Sequence, residues 1–327
     1  MLHLRMIVPP ARTRAAVGLI ESTVGTAHLV VVPGAARDPA GDLVTCDVAR
    51  EAGDELLTEL RGLGIDRDGA ITVQDIGLTL SARADAAEAE APGDPADAVI
   101  WEELSEATHE ESTLSLTYCA FMVLATMIAA CGVVLDNAIL IVGAMAVGPE
   151  FGPLAGIFTG VVRRAPRAAA RSLLALFVGF AVAIAATTLF SLAMDAFDLF
   201  SRAQLDADRP NTRFIWQPDL FSFVVAVLAG IAGTLSLTSA KSGALVGVAI
   251  SVTTVPAGAN AAVALAYGEL GQMWGSLEQL TLNLFGIVLA GTVTLYAQRA
   301  LWRTQRGRWR RTAAGRRPAG PRRAAKR

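Results

Sequence analysis

"GAMAVGPEFGPLAG", residues 143–156, decides how the chain must fold. It lies inside an apolar run long enough to cross a bilayer, yet it holds four glycines, two prolines and one glutamate. Proline removes a backbone donor and breaks the helical hydrogen-bond ladder, and a carboxylate at that depth is costly. Backbone groups freed by a break cannot face lipid. They are tolerated only where protein buries them or where they line a wet cavity. The stretch therefore predicts an interrupted helix inside a larger bundle, with Glu150 held at the interruption between Pro149 and Pro153.

Working outward, the body divides into six apolar segments of spanning length: 115–135, 138–162, 170–194, 220–240, 243–267 and 277–298. Arg163, Arg164, Arg167 and Arg171 follow the second segment, Lys241 follows the fourth and an arginine-rich tail follows the sixth. The positive-inside rule places all three on the cytoplasmic side of a bacterial plasma (inner) membrane, with both termini inside. Segments one to three then run inside to outside, and four to six run back. This is the pattern of a 3+3 inverted repeat. The second member of each half is the irregular one, since segment five contains "SGALVGVAISVTTVPAGANAA" with Pro256 and Asn260. Paired Gly/Pro-interrupted segments at matching positions point to a midplane transport site.

The predicted site is drawn from Gly148, Pro149, Glu150, Gly152, Pro153, Thr254, Pro256, Asn260 and Asn283. Two roles stand for Glu150. It is a proton or cation site, or it is a structural acceptor bonded by broken backbone, by Asn260 or by Thr254. Gly143, Gly148, Gly152, Gly156 and Gly160 also form a small-residue stripe that serves plain helix packing. Asp136 and Asn137 read as a solvated cap between segments one and two. Glu278 reads as interfacial and stays outside the site.

Composition agrees with a membrane body, because 53% of the 327 residues are hydrophobic. Residues 1–115 carry a net charge of −13, whereas residues 299–327 hold 12 bases and no acid. The head, residues 1–80, alternates short elements in the order βαββαβ, the ferredoxin-like arrangement. Its strands are "LHLRMIV", "TAHLVVV", "DLVTCDVA" and "AITVQDIGLTL", with "PGAARDPAG" as a loop. Residues 81–114 read as a polar linker, "SARADAAEAEAPGDPAD", and then an acidic amphipathic helix carrying His109. The transmembrane domain covers 115–298 and the basic cytoplasmic tail 299–327. No cleavable leader is apparent at the start, so the first apolar segment is expected to begin insertion itself.

Neither the three cysteines nor His109 has metal-ligand spacing, "GLGIDRDGAI" lacks calcium-loop spacing, and no triad or paired-acid motif occurs. The reading is of a non-enzyme without cofactor or metal. Its expected partners are the lipid bilayer, an unknown small solute or ion, anionic lipid at the basic tail and a second copy of the chain. Nucleic acid is not expected, since no nucleic-acid fold accompanies the tail.

"AILIVGAMAVGPEFGPLAGI" (138–157) and "SGALVGVAISVTTVPAGANAAVALAYG" (242–268) resemble the two hallmark segments of a bacterial and archaeal membrane family, domain of unknown function 389 (DUF389). The resemblance covers about residues 110–300, and the head is similar to that of many members. Many relatives have an apolar residue where Glu150 stands and a second proline where Ala257 stands. The family has no established activity, so the resemblance implies membrane architecture and no substrate. Two functions follow as expectations. One is a transporter or channel with a cytoplasmic regulatory domain. The other is a membrane-anchored sensor or scaffold whose head binds a ligand or partner.

Overall fold

A computed structural model describes residues 1–91, 93, 100–238 and 254–315, with side chains to residue 301 apart from 102, 103 and 107. The first half of predicted segment five, Lys241 and residues 316–327 of the basic tail lie outside the described residues. The chain separates into two compact units. One comprises Met1–Glu102 with Arg299–Arg327, and the other Glu103–Gln298.

The head unit runs β1 (Leu2–Val8), α1 (Pro10–Ser22), β2 (Thr26–Arg37), β3 (Ala40–Val48), α2 (Arg50–Gly62), the short α3 (Ile65–Asp68), β4 (Ala70–Asp75) and α4 (Ala82–Glu90). The sheet order is β2-β3-β1-β4, with every neighbouring pair antiparallel. Period-two alternation drives β1: Leu2, Leu4, Met6 and Val8 are all buried, and they meet Ile20 of α1 and Leu56 and Leu60 of α2. Each such side chain contributes about 1.5–3 kcal/mol of transfer free energy. Asp47 ties β1 and β2 to β3 by bonding Nδ1 of His3 at 2.7 Å and Nδ1 of His28 at 2.6 Å.

Three stretches differ from the sequence reading, the first being "AITVQDIGLTL", where β4 ends at Asp75 and not at Leu80. "PGAAR", read as loop, continues β2 to Arg37, so β2 and β3 form a long hairpin that turns at Asp38-Pro39. β2 is an edge strand there, where proline costs no ladder bond. The stretch read as linker contains α4. Ser81 starts it by accepting the Ala84 amide at 3.3 Å, and its alanines have high helix propensity.

The second unit is helical. α5 (Trp101–Glu111) leads in, followed by α6 (Leu116–Val134), α7 (Ala138–Val147), α8 (Phe151–Val162), α9 (Pro166–Ala196), α10 (Arg202–Asp206), a 3-10 turn at Arg213–Ile215, α11 (Leu220–Thr238), α12 (Thr254–Ala266) and α13 (Leu270–Gly315). Among the described residues four helices are long and apolar enough to cross a membrane: α6, α9, α11 and Leu270–Leu301 of α13. α7 and α8 pass together as a fifth, bent by 55°. Segment five is described only from Thr254. At 1.5 Å per residue α6 spans about 28 Å, close to a bilayer's hydrocarbon thickness.

Small residues bring these helices together. Gly132 lies against Ile141, Gly179 against the Tyr118 ring, Gly230 against Ile287 and Gly291 against Phe158. The glycine stripe of α8 packs as well, with Gly156 against Ser112 and Ser172 and Gly160 against Ala169; Gly143 has open space beside it.

Candidate functional site

The bend between α7 and α8 follows from local sequence. α7 makes its last bond from the Gly148 amide to Ala144 O, 3.1 Å, and Pro149 has no amide to continue it. Pro153 is the third residue of α8, where the backbone donor has no intrahelical partner in any helix, so it fits without loss. Glu150 therefore sits immediately before the first residue of a new helix, and its side chain does not cap that helix. It reaches across to α12 instead.

Glu150 is 1% exposed. Its Oε1 accepts a 2.8 Å hydrogen bond from the Thr254 hydroxyl, 104 residues away, and its Oε2 is buried without a partner among the described residues. Thr254 is the first described residue of α12, and its hydroxyl brings that helix against the carboxylate. Gly148 is required by space here. Its backbone (φ −66°, ψ 126°) suits any residue, but a Cβ would overlap Glu150 Oε2 and come within 2.8 Å of Val255 Cγ2. Tyr118 of α6 stands within electrostatic range of Glu150, and its hydroxyl is also buried without a partner. The interrupted α7–α8 span and α12 thus meet at a carboxylate with one oxygen bonded and one without a partner among the described residues.

α12 is enclosed by protein. Eleven consecutive residues, Thr254 to Ala264, are buried, Pro256 among them, and α6 and α9 pack along it. Asn260 lies six residues, about 9 Å, along the helix from Thr254. It belongs to a different cluster. Its Oδ1 accepts from Arg209 Nη1 at 3.1 Å and its Nδ2 donates to Ser276 Oγ at 2.8 Å. Arg209 is 5% exposed and also donates to Gln272 Oε1 at 2.8 Å. Burial pushes its pKa below the usual guanidinium range, with Asp136 and Asp206 acting in the opposite direction. Sequence reading passed over Arg209, which sits in a polar loop with no periodic signal.

Asp136 and Asn137 do more than cap. Asn137 Oδ1 accepts the Ile139 and Leu140 amides at the start of α7, while Asp136 gathers Asn211 and the Thr212 hydroxyl and so docks the Arg209 loop. A cavity of about 340 Å³ adjoins Arg209, lined also by Arg213, Asp206, Asp208 and Gln272.

Asn283 is buried on α13 and makes a third cluster. Gln279 Nε2 donates to its Oδ1 at 3.4 Å, leaving Gln279 Oε1 and Asn283 Nδ2 without partners. Gln272, Ser276, Gln279 and Asn283 share one face of α13 at helical spacing. Of the remaining sequence-predicted residues, Pro149 forms the break, Pro153 is buried, and Gly152 packs on Glu111. The structure thus joins Gly148, Glu150 and Thr254 directly, with Pro256 two residues further along α12, and sets Asn260 and Asn283 apart. Among the described residues no group of three His, Cys, Asp or Glu side chains could hold a metal ion.

Comparison with known proteins finds similarity without naming an activity. The chain is 25% identical over 203 residues to an uncharacterised protein of the archaeon Methanocaldococcus jannaschii, an alignment covering 61% of this chain. The chain spans about 59% of the length of that curated relative. No solved structure matches it. The family model that does match, Domain of unknown function (DUF389), matches residues 145–289, which take in both sides of the break, Thr254, Asn260 and Asn283.

Proposed function

We propose that the membrane unit is a transporter or channel for a small solute or ion, and that Glu150 exchanges a proton or a cation at the meeting of two interrupted segments. The observation that carries this reading is the orphaned Oε2 of a carboxylate that is 1% exposed. A buried acid serving only structure would be fully bonded, because an unsatisfied buried polar group costs about 1–3 kcal/mol. Here one oxygen is held by Thr254 and the other is left for a ligand. The interruption of α7–α8 at 55°, against the buried start of α12, supports an inverted-repeat design. Arg209 pins a loop over Asn260 and suits a closed gate at that end of the bundle. The head's sheet order, β2-β3-β1-β4, supports a ferredoxin-like regulatory domain on the cytoplasmic side, and the reading is of a non-enzyme in the bacterial inner membrane.

The test is flux in proteoliposomes loaded with a pH-sensitive dye. Wild-type chain is expected to carry a proton or cation current whose size follows pH, and Glu150→Gln to lose the pH dependence while inserting normally. Flux through Glu150→Gln that matches wild type at every pH would refute the role. In that case the search for function moves to the head as a sensor or scaffold.

A further inference from the structure

A second cavity, of about 320 Å³, opens between α5, α8 and α9, lined by the Arg163–Arg171 turn rather than by the break at Glu150. Three independent features of its wall point to one kind of ligand. The first is charge. Arg163 and Arg171 line it beside the His109 imidazole, and among the described residues of its wall the one carboxylate is that of Glu106. Among the described residues Arg171 forms no ion pair, and its polar partner is His109, Nη1 to Nδ1 3.3 Å. A guanidinium has only donors, so the imidazole nitrogen accepts and the positive charge stays uncompensated within the pair.

The second feature is a hydroxyl. Thr159 is 3% exposed, lines the cavity and has no hydrogen-bond partner. Its neighbours on the same wall return theirs to carbonyls of their own helices: Thr108 to Leu104 O, Ser112 to His109 O and Ser172 to Ala168 O. The third feature is a helix end. α9, 31 residues long, begins at Pro166 with Ala165 before it, so no side chain caps its first turn. Both Ala165 and Ala168 line the cavity, which therefore receives the positive end of a long helix dipole.

We propose that this cavity is an anion site for a phosphate group, either free in solution or carried on a lipid headgroup. A guanidinium fork matches phosphate oxygens two at a time, the start of α9 adds field, and the Thr159 hydroxyl donates to a third oxygen. Glu106 opposes the anion and holds the affinity down.

The experiment uses the full chain in nanodiscs of neutral lipid. Inorganic phosphate is titrated at constant ionic strength, against chloride, and followed by thermal unfolding and calorimetry. Phosphate is expected to stabilise the wild type beyond chloride. Arg171→Gln should weaken phosphate at least about tenfold, as loss of a charge-assisted contact implies. The near-isosteric Thr159→Val should weaken it by a smaller factor, Glu106→Gln should strengthen it, and Arg164→Gln, off the lining, should leave it unchanged. A phosphate effect no larger than chloride's, or equal losses in Arg171→Gln and Arg164→Gln, would overturn the assignment. Repeating the titration in phosphatidylglycerol nanodiscs separates the two sources. Disappearance of the phosphate response there identifies a lipid headgroup as the occupant, and its persistence identifies a free phosphate.

Discussion

The bond between Thr254 and Glu150 gives the sharpest numerical test of the site. Thr254→Val keeps the side-chain volume and removes the donor seen at Glu150 Oε1; Glu150→Leu removes the acceptor, and Glu150→Gln keeps an acceptor without charge. A neutral hydrogen bond is worth about 0.5–1.5 kcal/mol net, and one to an ionised group about 1.5–3. Measured bonds between membrane helices average lower, about 0.6 kcal/mol, because the unfolded chain in the bilayer also finds partners. The double-mutant cycle built on Thr254→Val and Glu150→Leu should therefore give a coupling of about 0.6 kcal/mol while Glu150 is protonated. The coupling should rise above about 1.5 kcal/mol where it is ionised. In the Glu150→Gln background, the effect of Thr254→Val should stay near the lower figure at every pH. The assay is equilibrium unfolding of the full chain in mixed micelles, followed by circular dichroism at acid and alkaline pH. A coupling within about 0.3 kcal/mol of zero, the usual error of additivity, would mean that the two side chains do not hold each other. The description of the break would then fail.

Three further outcomes follow from other contacts. Gly148→Ala should destabilise the membrane unit by about 1–3 kcal/mol through overpacking, and the loss should shrink in a Val255→Ala background, since Val255 Cγ2 lies 2.8 Å from the added methyl. Unfolding in the same micelles, with no relief in the double variant, would contradict the contact. Arg209→Met should cost roughly 2 kcal/mol or more by leaving the oxygens of Asn260 and Gln272 unbonded, and should make the loop that carries Arg209 more cleavable by added protease. Equal cleavage of variant and wild type would remove the gate. Burial, followed by the charge of Asp47, pushes the Cys46 thiol up to about 12, so a maleimide should label Cys46 only after the head unfolds. Rapid labelling of the native chain at neutral pH, located by peptide mapping, would refute its burial.

What the sequence disclosed and what it hid have physical causes. β1 was legible because a strand with one buried face must alternate, and Leu2, Leu4, Met6 and Val8 do. The bend at Gly148–Glu150 was legible because proline chemistry is local, needing only the residues on either side. Thr254 and Asn260 were both named as bonding partners of Glu150, and the structure selects Thr254. Choosing between them required the depth of α12 in the bundle, which no local pattern encodes. Arg209 was hidden for a related reason. A polar loop gives no periodic signal, and its burial is created by Asp136, Asn260 and Gln272, which come from three other parts of the chain. The continuation of β2 through Pro33 and Gly34 and the helix α4 were lost to composition, because proline-, glycine- and alanine-rich stretches read as linker whatever their pairing.

The enclosure of α12 bears on how the protein is made. α12 is described from Thr254 to Ala266. It turns eleven successive buried positions toward protein and offers almost nothing to lipid. Lipid therefore cannot hold it in place as it emerges from the ribosome. Its binding groove is made by α6 and α9, which are synthesised earlier, so assembly is ordered: the amino-terminal helices must be seated before α12 has anywhere to go. Damage to α6 or α9 would then appear first as a chain that fails to mature.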